Sequence, residues 1–258
     1  MEKKYRTEPE DDMLRIIALK DFSDVKKGDR GGLISQESNL SQEGDCWVYG
    51  SAEVFDNAQV LENAQIFGDA QIYGNAWISG NAKVYGNARV LGHAWVCDNA
   101  KVYGSAGIYG KAKVCDNAEV YGCAWACGNV WIKGKAKIYE SAGISENAWV
   151  EGNAHIYDSA QVFGNAKVSG NAKVSGQVRV WKKAHIGGNV KLRSTETSYI
   201  TTSIKNNKDY TILIIKQKFF VFPNNHDAKD LIDDCFPITV ENYLNNIQTI
   251  RQLYGEEV

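Results

Sequence analysis

Apolar residues recur through the middle of the chain at two positions of a six-residue pattern. Residues 44–193 hold 25 such hexads in one unbroken register. The third position is alanine in 21 hexads, and the fifth is valine or isoleucine in 23. Because side chains alternate along a strand, these two side chains point to the same side. The pattern therefore predicts a short strand with one buried face in every hexad.

Residues that tolerate a tight turn separate these strands. The first position is glycine in 17 hexads and aspartate or glutamate in seven, and asparagine follows in 13. Glycine adopts left-handed backbone at the lowest cost, and asparagine is the best of the other residue types. Strands and turns that keep both apolar residues inward predict coils of three hexads, or 18 residues. Eight such coils extend roughly 40 Å at the usual strand spacing.

The repeats also resemble a known family. Residues 80–85 read Gly-Asn-Ala-Lys-Val-Tyr, and a leader at 24–32 reads Asp-Val-Lys-Lys-Gly-Asp-Arg-Gly-Gly. Together they resemble the bacterial hexapeptide-repeat superfamily, and within it a YdcK-like branch of bacteria and phages whose members are labelled acyltransferases. The glycine two residues after the aliphatic residue departs from the usual superfamily pattern. The resemblance implies an all-β solenoid, namely a left-handed parallel β-helix of about eight 18-residue coils.

Segments of different composition flank the repeats and divide the chain into three parts. Residues 1–43 form an N-terminal tail and capping segment, of which residues 1–12 are expected to fray and 13–19 to form a strand. Residues 44–193 form the β-helix. Residues 194–258 form a small α+β C-terminal cap with a β-hairpin and two helices, near 228–235 and 239–254. Caps are expected because an open coil exposes unpaired backbone groups and apolar side chains.

The fourth position of each hexad points outward, and reading it every 18 residues assigns it to three faces. The first face is mostly basic, with Lys83, Lys101, Glu119, Lys137, His155, Lys173 and Lys191 following Trp47 and Gln65. On the second face Gly107 and Gly143 flank Trp125, which leaves room for that ring to lie flat, although no site is predicted there. The third face carries four of the seven tryptophans: Trp77, Trp95, Trp131 and Trp149.

These four tryptophans are the predicted binding or interface residues, because an exposed apolar strip marks an interface. Three interpretations remain open: association between copies of the chain, coverage by the C-terminal segment, and a flat platform for carbohydrate or another ligand. The superfamily packs three prisms side by side, so the resemblance implies a homo-oligomer, with a trimer favoured. A second aromatic column, predicted to stabilise one corner by ring stacking, comprises Tyr49, Phe67, Tyr85, Tyr103, Tyr121, Tyr139 and Tyr157.

No catalytic residue is predicted with any force. The resemblance implies acyl-CoA-dependent acyl transfer by a histidine base, with coenzyme A as the cofactor. His185 and His155 are weak candidates for that base, because both occupy outward positions of the repeats. However, no inserted loop interrupts the hexads to enclose a substrate. A surface histidine in a repeat is more often simply solvated.

Composition and charge limit the partners and the cellular compartment that we expect for this chain. Net charge is −2, which gives nucleic-acid binding no support. No apolar run is long enough to cross a membrane, and the polar start lacks the apolar core of a signal peptide, so we expect a cytoplasmic protein. The six cysteines are expected to be free thiols, with no metal site. Cys97 and Cys115 share a corner in adjacent coils at bridging distance, but their parallel side chains and the expected reducing compartment argue against a disulfide.

These observations favour a non-catalytic β-helical scaffold or binding protein without a cofactor. It would oligomerise, or bind an unknown protein or small molecule, through its outer faces, as a bacterial or phage accessory protein does. The alternative hypothesis is an acyl-CoA-dependent acyltransferase of the hexapeptide-repeat type.

Overall fold

The computed structural model describes the backbone of residues 2–205, 208–215 and 218–223, and side chains as far as Arg193. The helices predicted near 228–235 and 239–254 lie outside the described residues. Within the described part, strands and turns make up the fold together with one 3-10 turn, Glu37–Asn39. This part holds no helix long and apolar enough to cross a membrane.

Strands pair in parallel with strands 18 residues away. Lys83 pairs with Lys101, and Val84 pairs with Val102. The same offset recurs through the repeats, so each coil lies directly on the next. The predicted all-β parallel solenoid with 18-residue coils is therefore confirmed, whereas its left-handed sense stays a prediction.

The strands form three faces, which we name from their outward residues. The basic face contains Trp47–Val48, Gln65–Ile66, Lys83–Val84, Lys101–Val102, Glu119–Val120, Lys137–Ile138 and His155–Ile156. The glycine face contains Glu53–Val54, Gln71–Ile72, Arg89–Val90, Gly107–Ile108, Trp125–Ala126, Gly143–Ile144 and Gln161–Val162. The tryptophan face contains Gln59–Val60, Trp77–Ile78, Trp95–Val96, Lys113–Val114, Trp131–Ile132, Trp149–Val150, Lys167–Val168 and His185–Ile186.

Third- and fifth-position side chains fill the interior of the prism. Ala82 and Val84 are both 0% exposed, as are most of their equivalents in other coils. Burying one valine side chain stabilises a fold by about 1.5–3 kcal/mol. Repetition of this burial over 25 hexads gives one continuous core and leaves function to the outward positions.

The first position of every hexad adopts left-handed backbone. Gly80 has φ +67°, and a Cβ there would lie 2.7 Å from the backbone nitrogen of Asp98 in the next coil. Acidic residues also occupy this conformation, as Asp116 does at φ +60°. Six of the seven acids compensate by accepting a hydrogen bond from the first-position N–H one coil later: Asp56, Glu62, Asp98, Asp116, Glu140 and Asp158.

The N-terminal segment covers the first coil and adds about one turn to the eight formed by the repeats. Tyr5–Glu10 pairs antiparallel with Met13–Ala18, which pairs in turn with Arg30–Ile34. The last of these joins the parallel ladder, because Ile34 pairs with Val54. The predicted strand at 13–19 is thus confirmed.

The expectation that residues 1–12 fray is wrong for residues 4–10. Lys4 is 1% exposed, and its Nζ donates to the backbone oxygen of Cys46 at 2.9 Å and to that of Gly44 at 3.2 Å. Tyr5 Oη donates to the Leu40 oxygen at 2.7 Å. Free carbonyls at the end of the prism need donors, and these side chains provide them. The segment also covers Trp47, which is 2% exposed although its position faces outward.

The C-terminal strands grow out of the last coil. Lys173–Val180 belongs to the basic face at its start and to the glycine face at its end, since Lys173 pairs with His155 and Arg179 pairs with Gln161. Lys191–Lys205 runs parallel to it. Lys208–Ile215 and Lys218–Pro223 then follow as antiparallel strands.

Candidate functional site

The tryptophan face presents two exposed indoles near its N-terminal end. Trp77 is 40% exposed and Trp95 is 45% exposed. The two residues are paired in register, and their ring centroids lie 6.1 Å apart. A planar angle of 35° leaves the rings tilted rather than fully stacked. This pair is an apolar patch of the kind that a partner surface covers.

A lysine connects this pair to the other two predicted tryptophans. Lys113 Nζ lies 4.4 Å from the ring centroid of Trp95 and 4.4 Å from that of Trp131. Trp131 and Trp149 stack at 5.4 Å with a planar angle of 16°. A cation between two indole faces is attracted to both. The structure therefore joins all four tryptophans into one column, which we call the tryptophan column.

Charged residues form a hydrogen bond and ion pairs at the C-terminal end of the tryptophan column. Glu151 accepts a hydrogen bond from Trp149 Nε1 at 2.8 Å and contacts Lys167 at 2.7 Å and Lys133 at 3.4 Å. The hydrogen bond from Lys167, followed by that from Trp149, lowers the pKa of Glu151 to about 2. Trp131 and Trp149 are half-buried. Sequence reasoning missed Glu151 and Lys133 because both occupy the sixth position, away from the tryptophan register.

The predicted corner column of aromatic rings is confirmed. From Phe67 to Tyr157, successive rings lie 4.6–5.1 Å apart with planar angles of at most 5°. Tyr49 instead meets Phe67 edge to face. Burial raises the pKa of Tyr139 to about 12, so its hydroxyl stays protonated at neutral pH. Ring stacking accounts for this column without a ligand.

The basic face is partly neutralised. Glu119 lies 3.9 Å from Lys101 and 3.5 Å from Lys137, at the centre of the lysine row. Next along the row, His155 is half-buried and meets the Tyr139 ring edge to face at 6.1 Å. Burial, followed by Lys173 and Lys137, lowers the His155 pKa, so this imidazole is neutral at neutral pH. Within the described residues no carboxylate hydrogen-bonds to it.

His185, the other weak candidate, lies near the C-terminal end of the tryptophan face. Its Nε2 is 3.2 Å from Ser169 Oγ, a distance suited to a base and a nucleophile. Sequence reasoning missed Ser169, since serine at the sixth position is an ordinary turn residue. No carboxylate among the described residues hydrogen-bonds to this imidazole, and the pair is exposed. The structure does not bring His155 and His185 together, because they lie on different faces.

The expectation of free thiols is wrong for two cysteines. Cys97 and Cys115 form a disulfide between adjacent coils, with Cα atoms 4.8 Å apart. Register stacking places the two residues within bridging range, and this proximity outweighs the parallel start of their side chains. Cys46, Cys123 and Cys127 are free. Ligand atoms of Asp98 and the bridged pair lie within 4.8 Å of one another, but both sulfurs are already bonded.

The glycine face holds Trp125 between its two glycines, as the register predicts. The indole lies over Gly143, where an added Cβ would meet Trp125 Cζ2 at 2.3 Å. Gly107 is covered by the Tyr109 ring instead. A separate open depression of about 580 Å³ lies at the N-terminal end, beside Gln36, Phe55 and Asn75. None of the three histidines in the described residues lines it.

Comparison with known proteins supports the resemblance seen in the repeats. The profile of the YdcK beta solenoid repeat family matches residues 70–83 and 82–97. No curated protein matches the chain significantly. The matched segments lie in coils that carry Trp77 and Trp95 and share the register of the whole solenoid. The repeats at residues 70–97 are therefore similar to YdcK beta solenoid repeats, in agreement with the β-solenoid that the structure shows.

Proposed function

We propose that this protein is a non-catalytic scaffold that associates with copies of itself through the tryptophan face. The observation that supports the proposal is the exposure of Trp77 and Trp95, at 40% and 45%. Tryptophan is enriched among residues that dominate binding energy at interfaces. A tryptophan buries about 150–250 Å² when fully covered, and roughly two fifths of that area is still exposed on each of these indoles, so covering the pair would contribute about 3–5 kcal/mol.

The rest of the tryptophan face suits such a contact. Its strands are two residues long and stacked in register, which gives a flat strip along the prism. Flat strips on two copies can meet over several coils, and superfamily members that pack three prisms side by side provide the precedent for a trimer. Half-buried Trp131 and Trp149 would then support the strip rather than form the contact. No cofactor enters this proposal.

Substitution of the exposed pair tests the proposal. Trp77→Lys combined with Trp95→Lys places two charges in the contact, so association should weaken by at least about a hundredfold. Sedimentation velocity over a concentration series measures this change. Trp125→Lys on the glycine face is the matched control and should associate as the wild type does. Unchanged association of the double variant would overturn the proposal.

A further inference from the structure

Glycine occupies the outward fourth position in only two of the 25 hexads, Gly107 and Gly143. Neither has left-handed backbone, so the conformation of the chain does not require glycine there. Glycine inside a strand weakens it and often marks a place where another group approaches closely. Both glycines lie on one face, in register with Trp125 between them. The two outward positions without a side chain are therefore the two neighbours of a single tryptophan in the stack of coils.

Rings fill the space that the two missing side chains leave. The Trp125 indole extends over Gly143, and the Tyr109 ring extends over Gly107. Both glycines are buried beneath these rings, which are themselves half-buried. Ring atoms of both side chains thus lie over the sheet, and part of each ring stays open to solvent. The two rings form an aromatic platform across three coils, about 10 Å along the prism.

Trp125 differs from the tryptophans of the tryptophan column in what it contacts. Trp131 uses its ring faces against Lys113 and Trp149. Within the described residues, Trp125 has neither an aromatic ring nor a cation stacked on it. Its solvent-facing side is thus free to stack on a ligand.

We infer that the aromatic platform of Tyr109 and Trp125 is a carbohydrate-binding site, on which Trp125 stacks against one pyranose ring of a neutral glycan. The C–H bonds on one side of a pyranose carry partial positive charge and pack well on the electron-rich face of an indole. The hydroxyl groups at the rim of the sugar then need hydrogen-bonding partners. A site for this ligand should therefore combine an open aromatic face with polar side chains beside it.

Polar side chains stand at both ends of the platform. Arg89 pairs in register with Gly107 and is exposed, so its guanidinium can donate to sugar hydroxyls. Gln161 pairs with Gly143 and offers an amide that both donates and accepts. This combination matches a ring with one apolar side and a hydroxylated edge.

Size and charge argue against other occupants. Two aromatic side chains bury about 300–500 Å² at most, less than the ~800 Å² per partner of a stable protein interface. A nucleobase also stacks on indole, but its phosphates need cations nearby. Beside the platform the outward row of this face offers one arginine, Arg89, and its other arginine, Arg179, lies three coils from Trp125. The lysines are concentrated on the basic face instead.

Titration with neutral oligosaccharides tests the assignment. Cellohexaose, chitohexaose and maltohexaose are each titrated into the full chain, and binding is followed by calorimetry and by ligand-observed NMR. At least one of them should bind saturably. Trp125→Ala should weaken that binding by about tenfold or more. Gly143→Val should do the same with the indole retained, because its Cβ displaces the ring.

Matched variants separate this site from the proposed self-association. Trp95→Ala on the tryptophan face should weaken association and leave oligosaccharide binding intact, whereas Trp125→Ala should do the reverse. Thermal melts establish that each variant is folded. No binding of any of the three oligosaccharides, or binding unchanged in both Trp125→Ala and Gly143→Val, would overturn the inference. Binding of adenosine monophosphate but no oligosaccharide, lost in Trp125→Ala, would assign the platform to planar ligands instead.

Discussion

At the scale of single residues, the first-position acids show how a side chain replaces glycine in a left-handed turn. Asp116 adopts φ +60°, which costs a residue with a Cβ about 1–2 kcal/mol. Its carboxylate accepts a hydrogen bond from the Gly134 N–H, 2.8 Å away in the next coil. A hydrogen bond to a charged group contributes about 1.5–3 kcal/mol. The acid therefore offsets the strain that it introduces.

Substitutions at residue 116 separate the two effects. Asp116→Ala keeps the strain and loses the hydrogen bond, so we expect it to lower the free energy of unfolding by about 1–3 kcal/mol. Asp116→Gly loses the same hydrogen bond but relieves the strain, and should cost less. Urea denaturation followed by circular dichroism compares the variants. If the glycine variant is the less stable of the two, this interpretation of the acids is wrong.

Glu151 gives a prediction about pH. Its pKa is lowered from 4.5 to about 2 by hydrogen bonds from Lys167 and Trp149. A carboxyl whose pKa is lower in the folded state adds stability above its unfolded pKa and loses it as pH falls through the folded value. The contribution of Glu151 should thus be complete above about pH 5 and decline between about pH 4.5 and pH 2. Solvent screening at this surface limits it to about 1 kcal/mol.

Thermal melts of wild type and Glu151→Gln across this pH range test the prediction. The wild type should be the more stable protein at pH 6, and the gap between the two melting temperatures should narrow toward pH 2. Glutamine retains an acceptor for Trp149 Nε1, so the comparison isolates the charge. A difference in melting temperature that stays constant down to pH 2 would show that Glu151 is not paired as a carboxylate with Lys133 and Lys167.

Residues differ in how far sequence alone could assign them. Ala82 and Val84 were assignable to the core because their positions recur in every coil. The burial of Lys4 could not be assigned in this way. Its partners are backbone oxygens around Cys46, and no pattern of side chains in the sequence indicates such contacts. Glu151 was also missed, since its role depends on Lys167 in the next coil and on Trp149 beside it. Contacts that occur once leave no periodic signal.

At the scale of elements, the tryptophan column acts as one unit along its face. Lys113 lies between Trp95 and Trp131 in the row of four indoles. Its Nζ is 4.4 Å from the ring centroid of each of these two tryptophans. Each exposed contact of this type contributes about 0.5–1 kcal/mol. The sequence placed this lysine correctly in the row, yet only the structure shows that it links Trp95 to Trp131.

Removal of the Lys113 charge tests this link. Lys113→Met keeps most of the side-chain length, so we expect the loss of about 1 kcal/mol of stability from the two contacts. Lys111→Met in the same coil is the matched control, because Lys111 is an exposed turn residue. Urea denaturation compares the two variants. Equal stability of both would contradict a stabilising role for Lys113.

The disulfide between Cys97 and Cys115 is a second link between coils. The bond closes a segment with a sequence separation of 18 residues, and constraint of such a loop stabilises a fold by about 3 kcal/mol. Dithiothreitol should therefore lower the melting temperature of the wild type but not that of a Cys97→Ser and Cys115→Ser double variant. A wild type that is insensitive to reduction would show that the bond adds no stability. The sequence indicated the proximity of the two cysteines, but side-chain direction and an expected reducing compartment argued against the bond.

At the scale of the whole molecule, one core organises three outer faces with different chemistry. The hexads predicted the core, the 18-residue coils and the grouping of outward residues. They could do so because, in an unbroken period, the place of one residue in the coil determines the place of every later residue. The additional N-terminal turn did not follow. Its pairs, such as Leu33 with Glu53, are 20 residues apart and fall outside the period. The candidate site was found as a row of tryptophans, whereas their unequal exposure depends on side-chain packing.

The central claim is that the tryptophan face joins copies of the chain, and the mass of the wild type in solution tests it most directly. Sedimentation equilibrium over a concentration series should give a multiple of the 28.6 kDa chain mass, with a trimer favoured. The fraction of assembled protein should rise with concentration. A mass of 28.6 kDa at every concentration would contradict the account.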